Sequence, residues 1–203
     1  MKYKRDLMKN TVIITIGKFS TQLVGFLLLP LYTSILSTEE YGSYDLLNTI
    51  SIFLIPFITF LMEEAMFRFL IDAKTEKEKS EVISQTMCFS VISILIQCTL
   101  FFLIFKFFHY PYTEYLILFI ISSILSTLAG SLCRGTSQFK LYAVFNFLSG
   151  LLNVLLNILF IAVIRMGLPG LFLSYIISNS VISLWILIKL IVYLGLLSIY
   201  PIV

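Results

Sequence analysis

Apolar residues in this chain gather into long runs of similar size, separated by short polar stretches. Six runs qualify as bilayer spans: 11–36, 46–71, 82–108, 115–133, 141–164 and 168–191. A hydrocarbon core of roughly 30 Å is crossed by about 20 apolar residues in a helix. The dividers are STEEYGSYD, DAKTEKEKSE, HYPYTE, RGTSQFK and RMGLPG, all short enough to predict antiparallel neighbours. Period-2 alternation is absent, and backbone groups in lipid need partners within the chain, so the pattern predicts helices rather than a barrel. Pro30 and Pro56 fall inside the first and second spans, where kinks are tolerated if neighbours satisfy the freed carbonyls. The expected fold is all-α, with residues 1–203 forming a single six-helix membrane bundle.

Composition removes the soluble alternative. Of 203 residues, 59% are hydrophobic and 12% charged, and the mean hydropathy is +1.01. A soluble chain of this size buries only about 70% of its surface, and ordinary soluble domains carry roughly twice this charge. The net charge of +3 leaves no basic stripe for nucleic acid. Cys88, Cys98 and Cys133 lie scattered in apolar runs without CxxC spacing or a neighbouring His, and read as small hydrophobes. The opening MKYKRDLMKN looks superficially like a secretion signal. The run behind it is too long for an h-region and lacks a small-residue cleavage site, so it reads as an uncleaved span. The end, GLLSIYPIV, stops in apolar sequence and reads as truncation of a longer protein.

Basic residues set the expected orientation. Lys2, Lys4, Arg5 and Lys9, then Lys74, Lys77 and Lys79, then Arg134 and Lys140 share one side. The other side holds Lys106 and Arg165, with Glu39 and Glu40 in a loop free of base. Cytoplasmic loops carry the Lys and Arg excess, so both termini are expected in the cytoplasm.

Ionisable residues within spans cost about 2.5–3.5 kcal/mol on insertion scales and mark function by default. Lys18 lies roughly 10 Å deep at about 1.5 Å per residue. It shares a stripe with Thr11, Thr15, Gln22 and Gly25, which should face a bundle interior or a wet cavity. The second span carries Glu63, Glu64 and Arg68, with Glu64 and Arg68 as i,i+4 neighbours. Two readings stand: Lys18, Glu64 and Arg68 neutralise one another, or they line a cavity that binds an anion or coupling ion. Snorkelling is a third course for Arg68. Ser123, Thr127, Gly130 and Arg134 form one polar face, and Asn146, Gly150, Asn153 and Asn157 another. Small and amide residues on one face allow close helix approach and cross-helix hydrogen bonds. Cavity lining is the competing reading for the three Asn, whose amides suit sugar hydroxyls or water. His109, between Phe108 and Tyr110, reads as an interfacial anchor, with proton coupling as the alternative. There is no Gly-rich phosphate loop, Ser-His-Asp arrangement or metal-ligand cluster. Neither catalysis, cofactor nor metal is expected.

The N-terminal stretch KNTVIITIGKFSTQLVGFLLLPLYTSILSTEEYGSYDLLNTI resembles the opening of bacterial polysaccharide-export flippases. These form the PST branch of the MOP superfamily, related to the MATE drug exporters. The likeness continues in EEAMFRFLIDAKTEKEKSEVIS, LCRGTSQFKLYAVFNFLSGLLNVLLNILFI and MGLPGLFLSYIIS, and so covers essentially the whole chain. LLLPLYTSILSTEEYG followed by EAMFRFL is its most specific part. The resemblance implies export of undecaprenyl-diphosphate-linked oligosaccharide repeat units across the bacterial cytoplasmic membrane. It implies two similar bundles around a central cationic cavity, of which this chain would be the N-terminal half. Lys18, Arg68 and Arg134 would then meet the diphosphate, with Arg134 equally readable as a positive-inside residue. Glu63 or Glu64 would carry a coupling proton or sodium ion. Partners would be the lipid-linked oligosaccharide, membrane lipids and other polysaccharide-assembly proteins.

Three rivals remain on the sequence. A membrane glycosyltransferase or polymerase of the same pathway would need a large extramembrane loop, and the dividers here are short. A peptidoglycan-precursor or drug exporter of the same superfamily is the second. An inactive fragment is the third.

Overall fold

The computed structural model describes residues 32–107 and 112–193, with residues 11, 12, 15, 19, 23, 26 and 28–30 before them. The helices with defined ends are α1 (Thr38–Thr59), α2 (Met62–Asp72), α3 (Glu76–Phe107), α4 (Thr113–Gly135), α5 (Phe139–Asn157) and α6 (Leu168–Tyr193). A π-helical turn, Ile158–Val163, prolongs α5. Among the described residues, five helices are long and apolar enough to cross a membrane. The chain is a multi-pass, all-α membrane protein. The expected span 11–36 falls largely outside the described residues.

The expected spans 82–108, 115–133, 141–164 and 168–191 each coincide with one long helix, within a few residues at most ends. The expected span 46–71 needs correction at its start and in its middle. Its helix begins at Thr38, inside the stretch read as the divider STEEYGSYD. The Ser37 hydroxyl accepts from the Glu40 N–H at 3.1 Å, and the Glu40 carboxylate accepts from the Ser37 N–H at 2.9 Å. This reciprocal cap satisfies orphan donors, and the acidic pair Glu39–Glu40 complements the dipole of the first turn. The charges that suggested a loop therefore start a helix. The same holds after Asp72, where Glu78 accepts from the Lys74 N–H at 2.7 Å and Thr75 accepts from the Glu78 N–H at 3.2 Å.

The middle of that span is broken. Phe60 and Leu61 both adopt left-handed backbone, with φ of 51° and 55°, and separate α1 from α2. Pro56 stays within α1, so the interruption falls beyond the proline that suggested a kink. Backbone groups freed at the break find partners. The Ser93 hydroxyl of α3 donates to the Ile58 carbonyl. Thr59 donates to the Ile55 carbonyl at 3.1 Å and accepts from the Leu61 N–H at 3.2 Å. Irregular backbone at membrane depth persists where such partners replace the lost ladder.

α4 is the axis: 67% of its apolar window is buried, against 17% for α3. It packs on each of the other five helices. Around the starts of α1, α4 and α6 an aromatic cluster fills the core. Phe119 stacks on Tyr175 with ring centroids 4.2 Å apart and meets Phe172 edge-on at 5.8 Å, while Tyr44 meets Phe172 at 5.4 Å. Such pairs add about 0.5–1.5 kcal/mol beyond burial. The periphery is apolar, with Phe53, Phe57, Leu95, Ile96 and Ile188 all exposed, as a lipid-facing surface requires. Glycines bring helices close at the other end of α4. A Cβ on Gly135 would stand 2.8 Å from a methyl of Leu70 in α2, and one on Gly130 would stand 3.3 Å from the Tyr142 ring in α5.

Candidate functional site: a polar face along the bundle

Two hollows open along one side of the bundle. The smaller, about 280 Å³, is lined by Glu64 of α2, by Ser126, Thr127, Gly130 and Arg134 of α4, and by Tyr142, Phe145 and Asn146 of α5. The larger, about 430 Å³, takes Tyr32, Tyr41, Tyr44, Asp45 and Asn48 from the N-terminal side, Ser149, Gly150 and Asn153 from α5, and Tyr175 and Asn179 from α6. They follow one another along α5, where Phe145 and Asn146 of the first lead to Ser149, Gly150 and Asn153 of the second. Ser126 of the first lies 3.2 Å from Asn179 of the second. Together they make one polar face.

Arg134 is the charged centre of the smaller hollow. Its Nη2 donates to Glu64 Oε1 at 3.2 Å and to the Ser131 hydroxyl at 2.9 Å. The guanidinium lies over Phe67 at 4.9 Å and Tyr142 at 5.9 Å from the ring centroids. Its Nε is buried without a partner. The group is therefore held in place by ring faces while keeping an unspent donor. Arg68 does not share this arrangement: its side chain is exposed on α2. Glu64 pairs across to Arg134 rather than along its own helix to Arg68, because α2 packs directly on α4. Glu63 is buried, and its Oε2 lacks a partner.

The three Asn of α5 divide their tasks. Asn146 lines the smaller hollow and donates to the Tyr142 carbonyl at 2.8 Å. Asn153 lines the larger one. Asn157 is buried, and its amide donates to both the carbonyl and the side chain of Asn153, each at 2.8 Å. It fixes Asn153 rather than facing the hollow. The hydroxyls of α4 bond mainly toward α6. Ser123 reaches Tyr175 at 3.2 Å, and Ser122 donates to the Ile176 carbonyl at 3.2 Å. Lys18, Gln22 and His109 lie outside the described residues.

Sequence reasoning missed the aromatic half of the face. Tyr41, Asp45 and Asn48 recur at four and three residues, and Tyr175 and Asn179 at four, the spacing of one helix side. That signal was legible once the stretch from Thr38 was read as helix. Among the described residues there is no group of three or more His, Cys, Asp or Glu placed to hold a metal.

Comparison with known proteins agrees with this architecture. Residues 7–199 match the profile of the family described as "Polysaccharide biosynthesis protein". No curated protein and no solved structure matches the chain. With almost its whole length covered by that profile, the chain belongs to the polysaccharide biosynthesis protein family, the PST flippases, a family of membrane transporters.

Proposed function

We propose that this chain moves undecaprenyl-diphosphate-linked oligosaccharide across the bacterial cytoplasmic membrane, with the polar face as one wall of the path. The bundle has six spans, 11–36 being the first, both termini are cytoplasmic, and the face opens toward a second bundle of the same kind. The observation that carries the reading is the pairing of two chemistries on one face. Arg134, whose guanidinium lines the smaller hollow, suits a phosphate oxygen at one end. The larger hollow offers tyrosine rings for sugar faces and Asp45, Asn48, Asn153 and Asn179 for hydroxyls. Lys18 and Arg68 are the further cations proposed for the same path, Gln22 and Asn146 supply amides for hydroxyls, and Asn157 acts through Asn153, which it holds in place.

Membrane potential favours this direction. An anionic headgroup moving outward from an inside-negative cell gains about 2.3 kcal/mol per charge per 100 mV. Proton or sodium antiport through Glu63 or Glu64 accompanies it. Flipping of a fluorescent lipid-linked oligosaccharide by the full-length protein in vesicles tests the reading. Arg134→Gln should slow the initial rate by roughly 10–100-fold, the loss of one or two charge-assisted contacts. Glu64→Gln should change its dependence on the ion gradient. Unchanged behaviour in both variants would overturn the assignment.

A further inference from the structure

A third recess lies on the opposite flank of α5. Lys140 and Val144 sit roughly 120–160° around the helix from Asn146, at about 100° per residue. The recess is a groove of about 370 Å³ between α5 and α6, with Gln138, Lys140 and Lys189 at its polar edge and Leu141, Val144 and Trp185 along its walls. α5 begins and α6 ends here, so the groove shares the level of Arg134 at the end of α4. The Lys189 ammonium lies 5.2 Å from the Trp185 ring centroid. Both lysines are exposed, and among the described residues neither joins an ion pair.

Two exposed ammonium groups with no ion-pair partner among the described residues, above an apolar slot with an indole at the boundary, make an amphipathic pattern. An acyl chain fits the walls, and an anion fits the rim. Basic pockets between spans recognise anionic headgroups in this way, and indoles settle at headgroup level. We propose that this groove binds an anionic glycerophospholipid, its phosphate held by Lys140 and Lys189 and its upper acyl chain laid against Leu141, Val144 and Trp185. The site is separate from the transport face. Which leaflet supplies the lipid rests on the orientation proposed above, whereas binding itself does not.

Trp185 is the single tryptophan of the chain, so its fluorescence reports this groove alone. The full chain is reconstituted in phosphatidylcholine vesicles containing brominated phosphatidylglycerol or brominated phosphatidylcholine on both leaflets. The mole fraction of each that halves the emission is then read. Brominated phosphatidylglycerol should act at a roughly ten-fold lower fraction at low salt, and the difference should shrink in high salt. Lys140→Gln with Lys189→Gln should abolish the difference, while Lys140→Arg with Lys189→Arg should keep it. Equal quenching in the unaltered chain, or a preference surviving the Gln substitutions, would overturn the site. Quenching by neither lipid would also overturn it, by showing the groove covered by protein. None of these readings depends on transport.

Discussion

Arg134 and Glu64 form an ion pair whose two ends differ in exposure. Glu64 is 54% exposed whereas Arg134 is only 20% exposed, so water competes for the carboxylate end of the pair alone. In the proposed path a diphosphate would take the place of the Glu64 carboxylate as the anion beside Arg134, while Phe67 and Tyr142 continue to hold the guanidinium plane. Lysine has no such plane, so Arg134→Lys should keep the charge yet recover less than half of the lost flipping rate, measured as initial rate in vesicles. The glycine beside it carries a packing role. A methyl on Gly135 would press into Leu70 at both its Cβ and its Cδ1, 2.9 and 2.8 Å away. Gly135→Ala should destabilise the bundle by about 1–3 kcal/mol, read as a lower unfolding temperature in detergent. At the opposite end, Gly167 has φ of 62°, and a Cβ there would meet the Glu40 carboxylate at 2.5 Å. Glu40 already accepts from Ser37 and from the Leu168 N–H, joining the starts of α1 and α6.

At the scale of elements, the break between α1 and α2 depends on a hydroxyl from a third helix. Ser93→Ala removes the donor to the Ile58 carbonyl and leaves a buried acceptor unpaired, a cost of about 1–3 kcal/mol. Faster amide exchange around residues 58–62 should accompany a lowered unfolding temperature. Either observation missing would show that the break does not need this bond. The four later crossings were readable from apolar run length alone, because lipid leaves few alternatives to a continuous helix. The break was not. Phe60 and Leu61 take left-handed backbone without the Gly or Asn that usually announces it, and the partner that permits this lies 35 residues away in sequence. The start of α1 was readable in principle, since Ser37 and Glu40 have capping-box spacing. Charge density in STEEYGSYD hid it.

The whole molecule presents a polar face, a basic rim and an apolar coat. If the basic dividers are cytoplasmic, a membrane-impermeant maleimide applied to intact cells should label Glu39→Cys at once and Lys77→Cys only after permeabilisation. The reverse pattern would invert the proposed orientation. Single residues of the face were legible where they were charged or amide, as with Glu64, Arg134, Asn146 and Asn153. Its continuity was not, because it arises from the way α2, α4, α5 and α6 meet. Nor could sequence separate Asn157, which braces Asn153, from residues that face the hollow. The interrupted crossing has a mechanical consequence. α1 brings Tyr41, Asp45 and Asn48 to the larger hollow, whereas α2 brings Glu64 to the smaller. A single unbroken rod would tie both chambers to one tilt. Under the proposed transport reading, a joint at Phe60–Leu61 would let the lower lever carry Glu64 away from Arg134 while the upper lever stays in place, opening one chamber with the other shut. Spin labels at residues 45 and 64 should then show two separations in the transporting state, and a single fixed separation would mean the joint is locked.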